Sequence, residues 1–230
     1  MNEKRNQNTL IVAVVAVVAV LAVVGVIILS SNTTPSVSSE VAFSQVPQER
    51  TEDGAFVIGN PAAPITIVEF ADFTCPHCQD YEETIDQFVQ NYVVTGLARL
   101  EYRMIGGTSS PYREHLAQLA ECAGDLQPGS FWDTHNVIFE YARAGRYEEV
   151  GRVIADRIDI SYSDLLQCTS TARQYITDTN VAASVGVQGT PAVMIRVGDG
   201  ELSWMNIGGQ VLNRGGIPYE ILQSVMQSYQ

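Results

Sequence analysis

Lysine occurs once in the 230 residues, histidine three times and tryptophan twice. Basic side chains total 13 against 26 acidic ones, a formal net charge of −13. Such a chain lacks the positive footprint that nucleic-acid binding requires. No internal repeat is present, which removes solenoid and propeller architectures. His115 and His135 fall on different expected helices without ligand-like spacing, so they read as ordinary surface or core histidines, and no metal site is expected. Past Lys4 and Arg5 no basic residue appears before Arg50, and no polar side chain interrupts Leu10 to Leu29.

That apolar run is long enough to matter. At about 1.5 Å per residue its 20 residues span roughly 30 Å as a helix, the thickness of a bilayer core. The run exceeds the ~7–15 residues of a signal-peptide core, and Ser30-Ser31-Asn32 offers no small-x-small cleavage site. No nearby cysteine could accept a lipid. An uncleaved single-pass anchor is expected, with residues 1–9 cytoplasmic by the positive-inside rule and everything after residue 29 outside. Residues 30–53, rich in Ser, Thr, Pro and Gln, read as a flexible stalk.

The most informative stretch is Glu69-Phe70-Ala71-Asp72-Phe73-Thr74-Cys75-Pro76-His77-Cys78. Ile65 to Phe70 reads as a strand buried on both faces. Pro76 onward carries Tyr81, Ile85, Phe88, Val89 and Tyr92 at helical spacing. A strand that delivers Cys-x-x-Cys to a helix start is a redox arrangement. Cys75 falls near the N-cap, and Pro76 fits the first turn, where its missing N–H costs nothing. Free N–H groups, the helix dipole and a protonated His77 would favour a thiolate at Cys75, the expected nucleophile. Cys78, one turn on, would close the disulfide. A zinc site would need two further ligands, and a purely structural bridge over so short a loop would remove little chain entropy.

Glu69 six residues before Cys75, the Cys-Pro-His-Cys itself, and Gly189-Thr190-Pro191 far downstream resemble the DsbA-like branch of the thioredoxin superfamily. The resemblance covers roughly residues 54–230. It implies an α/β thioredoxin fold with an inserted helical subdomain at about 108–185, here preceded by one transmembrane helix. It further implies that Pro191 is cis, that Thr190 lines the substrate groove, and that Glu69 is a buried acid relaying protons to Cys78. Four cysteines allow three connectivities. With Cys75 and Cys78 paired, Cys122 and Cys168 are left for each other, as a structural or a regulatory bridge.

Leu100, Tyr102 and Met104 alternate with Arg99, Glu101 and Arg103, which predicts a strand. The 86 residues between Ile105 and Ala192 show only helical periodicity, with helices near Pro111–Ala123, Phe131–Ala142, Tyr147–Ile158, Tyr162–Cys168 and Ala172–Val185. A parallel crossover needs about a dozen residues, so this is an insertion. Ala192–Val197 and Leu202–Ile207 read as a hairpin, and Tyr219 opens a last helix. The expected activity is extracytoplasmic thiol–disulfide exchange that introduces disulfides into exported cysteine-containing proteins. It needs no cofactor, and a quinone-linked membrane partner would reoxidise the site. Competing readings are a reductase or isomerase, a factor dedicated to one partner, and a redox-inactive chaperone-like binding module.

Overall fold

A computed structural model describes residues 43–107 and 110–229. Its centre is a mixed sheet of seven strands: β1 (Gln48–Arg50), β2 (Phe56–Gly59), β3 (Ile65–Ala71), β4 (Ala98–Met104), β5 (Ala192–Val197), β6 (Ser203–Ile207) and β7 (Gln210–Leu212). The order across the sheet is β1-β2-β4-β3-β5-β6-β7. Only β3 and β4 run parallel, and α1 (Pro76–Phe88) makes the crossover between them. Every residue of β3 is buried, as expected for a central strand covered on both faces. A π-helical turn at Val89–Val93 completes the segment that reads as one helix in the sequence.

The insertion holds five helices: α2 (Arg113–Leu126), α3 (Phe131–Arg143), α4 (Val150–Arg157), α5 (Tyr162–Thr169) and α6 (Gln174–Ser184). The last helix, α7, spans Tyr219–Ser228. Side-chain alternation divides the sheet. Ile65, Ile67, Leu100 and Met104 join the main core with α1 to α5 and α7, including Trp132, Phe131 and Phe139. Val68, Phe70, Ala192 and Met194 form a smaller core with α6, against which Trp204 packs. Cys122 of α2 and Cys168 of α5 are disulfide-bonded.

One boundary needs correcting. The expected stalk at 30–53 cannot extend through its last ten residues, because Gln48–Arg50 pair antiparallel with β2 as an edge strand. Phe43 and Val46, two of the few large apolar residues in that polar stretch, are buried in the main core. The expected segments at 1–9 and 10–29, and the stalk up to residue 42, lie outside the described residues. Among the described residues no helix is long and apolar enough to cross a membrane.

Candidate active site

The site begins where β3 ends. Asp72 Oδ1 accepts from the Thr74 N–H at 2.8 Å and from the Thr74 hydroxyl at 2.9 Å, and its carbonyl accepts from the Cys75 N–H at 2.9 Å. This turn, held from outside by Arg113 Nη2 at 2.6 Å from Asp72 Oδ2, brings Cys75 to the N-cap of α1. No side chain caps the helix, and Pro76 occupies its first turn. Cys75 itself is half-buried. Pro76 and His77 are exposed.

Cys78 is fully buried one turn below. Its sulfur accepts from the Asp72 N–H at 3.5 Å. Burial pushes its thiol well above the usual range, and the Glu69 and Cys75 charges add to the effect. Cys75 and Cys78 are therefore unequal partners, one reachable from solvent and one that holds its proton tightly.

The Thr190–Pro191 peptide bond is cis, and the Thr190 carbonyl oxygen lies 3.4 Å from Cys75 Sγ. Sequence positions 115 residues apart thus meet at one sulfur. Beside them runs a groove of about 780 Å³ walled by His77, Asp80, Tyr81, Thr190, Pro191 and Arg214. Its far wall is pinned to α1 because Tyr81 donates to the Ile217 carbonyl at 2.8 Å and accepts from the Ile217 N–H at 3.1 Å. A Cβ at Gly216 would stand 2.3 Å from the Tyr81 ring, so only glycine permits this approach.

Under the site lies Glu69, wholly buried, and among the described residues neither carboxylate oxygen has a hydrogen-bond partner. Burial pushes it up to about 8, so it is mostly the neutral acid near neutral pH. Its charge acts on Cys78, which places the two within electrostatic reach. Of the residues expected from sequence, Cys75, Pro76, His77, Cys78, Glu69, Thr190 and Pro191 converge here. Cys122 and Cys168 sit away from it in the insertion, and their bridge removes them as zinc ligands for this pair. Sequence reasoning did not single out Asp72, Tyr81, Glu82, Tyr102 or Arg113 as site residues. Only Asp72 left a local trace, an Asx turn just before a helix start.

A family model described as thioredoxin matches residues 51–202. The chain belongs to this thioredoxin family. Disulfide bond formation protein D of Bacillus subtilis is 26% identical over 154 residues, covering 62% of this chain and 68% of that one. Na(+)/H(+) antiporter NhaA 3 of Salinispora tropica is 29% identical over 147 residues, 62% of this chain. The chain spans only 22% of that antiporter's length and 24% of a second one from Salinispora arenicola. Among solved structures, Wolbachia pipientis alpha-DsbA1 superposes with a TM-score of 0.61 at 19% identity, covering 75% of this chain and 88% of that one. This thioredoxin-family chain therefore has the DsbA-type fold, helical insertion included.

Proposed function

We propose that this protein is a protein thiol–disulfide oxidoreductase that donates the Cys75–Cys78 disulfide to exported cysteine-containing proteins. The observation that carries the reading is the half-buried Cys75 sulfur at an uncapped helix N-terminus, 3.4 Å from the backbone of the cis-proline loop, over a buried Cys78. An extended substrate backbone can pair beside Thr190, which holds a substrate sulfur near Cys75. The substrate thiolate attacks Cys75 Sγ, the bond to Cys78 breaks, and Cys78 Sγ takes the electron pair and a proton. A second substrate thiolate then attacks the substrate sulfur of the mixed disulfide and releases Cys75 as a thiolate. The substrate leaves oxidised and the enzyme reduced.

The direction follows from what stabilises the dithiol form. Cys75 leaves at the start of α1, and a helix N-terminus is the place where a fold favours a released thiolate and so a more oxidising disulfide. Reoxidation then needs an electron acceptor, for which a quinone-linked membrane partner is the fitting class. The run Leu10–Leu29 would hold the domain beside such a partner, on the extracytoplasmic side. The name of the Bacillus subtilis relative, a disulfide bond formation protein, agrees with this reading.

Equilibration in glutathione buffers, read as mass shift after alkylation, tests it. An oxidase has a potential around −120 mV, whereas one around −270 mV would make the chain a reductase. Cys75→Ala should abolish oxidation of a reduced two-cysteine peptide. Peptide binding that survives this substitution, with no exchange activity in the unsubstituted protein, would instead identify a binding module.

A further inference from the structure

The groove beside Cys75 takes an anion and a cation from two different elements. From α1 come His77, Asp80 and Thr84, spaced three and four residues apart and so on one helix face. From the loop after β7 come Asn213 and Arg214. Among the described residues that line the groove, Arg214 is the only arginine or lysine. Asp80 and Arg214 are both exposed. Among the described residues Arg214 makes no ion pair, and its Nη2 donates to Gln188 Oε1 at 3.3 Å.

The loop that carries Arg214 is tied down on both sides. Gly215 bridges Ala192, the residue after Pro191, in parallel pairing. Gly216 packs against the Tyr81 ring, and Ile217 shares two hydrogen bonds with the Tyr81 hydroxyl. Gln188, which Arg214 holds, lies two residues before Thr190, whose carbonyl oxygen meets Cys75 Sγ. An extended chain advances about 3.3 Å per residue, so side chains within two residues of a substrate cysteine lie within roughly 7 Å of it along the strand. Thr190 and Gln188 are separated by the same number of residues, so such a side chain comes level with Arg214. An arginine has five N–H donors, and the Gln188 bond uses one of them. The chain's net charge of −13 repels acidic peptides as a whole. At 0.15 M salt, charges more than about 8 Å away are largely screened, so the nearest side chains decide.

We propose that Arg214 is a specificity-determining residue that selects substrates carrying an aspartate or glutamate within two residues of the cysteine that attacks Cys75. The proposal rests on the oxidoreductase reading above and gives it a substrate class. The guanidinium receives the substrate carboxylate as the mixed disulfide at Cys75 forms. The exchange step is unchanged: the substrate thiolate bonds to Cys75 Sγ, the Cys75–Cys78 bond breaks, and its electron pair goes to Cys78 Sγ. Asp80 is the repulsive counterpart, keeping the same carboxylate off the α1 side of the groove. An acidic neighbour raises the pKa of the substrate thiol and so leaves less thiolate to attack. Without Arg214, acidic peptides are therefore the slower ones.

The test uses the full-length protein in its disulfide form and reduced two-cysteine peptides that differ only in carrying Glu, Gln or Lys within two residues of each cysteine. The readout is the second-order rate of opening of the Cys75–Cys78 bond at 0.15 M salt, quenched in acid and followed by alkylation mass shift. The Glu peptide should react about threefold to fivefold faster than the Gln peptide, the upper end for an exposed ion pair. That advantage should vanish at 1 M salt. Arg214→Gln should abolish it, Arg214→Lys should keep part of it, and Arg214→Glu should transfer it to the Lys peptide. A Glu peptide no faster than the Gln peptide, or an advantage that survives Arg214→Gln, overturns the proposal. Should Arg214→Gln fail to fold, the salt series on the unsubstituted protein decides. An advantage lost at 1 M salt supports the ion pair, and one that persists undiminished overturns it. Oxidation of none of the peptides would overturn the oxidoreductase reading itself, a result distinct from equal rates across the set.

Discussion

The two faces of the β3–β4 pair bury charge in opposite ways. On the face toward α6, Arg103 donates to Glu101 at 2.6 Å, to Asp178 at 3.1 Å and to Asp53 at 2.8 and 3.1 Å. Arg196 closes the set on Glu101 at 2.6 Å. Burial alone would lower Arg103, but the Asp53 hydrogen bonds and the surrounding carboxylates hold it above its usual range. Burial pushes Asp178 up to about 7 despite its partners, a pull opposite to theirs. Geometry decides for the ionised carboxylate, because Arg103 and Gln174 donate to one oxygen and the Met104 N–H to the other. On the face toward α1, Glu69 has no donor among the described residues. Desolvated charge that merely holds a fold is paired, since unpaired it costs several kcal/mol. Where a proton must come and go, pairing would lock it in place, so the unpaired arrangement is kept despite its cost.

Breaking the paired face should produce the largest effect on stability. Arg103→Met takes the buried cation from Asp178 and leaves Glu101 with Arg196 alone, and should cost about 3–5 kcal/mol in urea unfolding, with exchange activity per folded molecule unchanged. A loss of activity without a loss of stability would contradict the division between the faces. Next comes the bridge in the insertion. Cys122 and Cys168 are 46 positions apart, so replacing both with Ala should cost about 4 kcal/mol in the chain-entropy model. The Cys75–Cys78 potential should not move. A shifted potential would make that bridge a regulator of the site rather than a brace.

Much of the site could be read before any coordinates, because its chemistry is carried by residues adjacent in sequence or by a loop with its own signature. Ile65 to Phe70, Cys-Pro-His-Cys and Gly189-Thr190-Pro191 each declare themselves locally. The helical insertion was legible for a similar reason, since each helix carries its own apolar stripe. β1 and β7 were not, because strands of three residues at a sheet edge have too few positions to display a period. The two buried polar sets were hidden for a deeper reason. Glu101 and Arg103 look like the polar half of an alternating strand, and Glu82 looks like a charge beside the Tyr81–Ile85–Phe88 stripe. Periodicity tells which residues share a face. It does not tell that α6 covers one polar face, or that Glu69 and His135 approach Glu82 from other elements.

The smallest expected effect sharpens the comparison most, because it reads the unpaired face through stability alone. Glu69 moves from an ordinary 4.5 in the unfolded chain to about 8 when folded, so between those values the folded state binds the extra proton. Stability must then fall as pH rises through that window, by up to about 1.4 kcal/mol per pH unit, and level off above it. Glu82 is raised as well and contributes with the same sign. His135 acts in reverse. Its folded value of about 4 lies below the ordinary 6.5, so the unfolded chain binds the extra proton and stability falls as pH drops through that window. Between about 4.5 and 6.5 the His135 trend opposes that of the carboxyls, so the slope there is shallower than in the decline toward 8. Glu69→Gln removes one side of the balance. Urea midpoints taken from pH 4 to 9 should show the decline toward pH 8 shrink and the slope between about 4.5 and 6.5 turn toward the His135 trend. Midpoints that stay parallel to those of the unsubstituted protein across both windows would mean that Glu69 ionises as an ordinary carboxyl. The face beneath the redox helix would then hold no proton in reserve, and the contrast with the Arg103 cluster would reduce to packing.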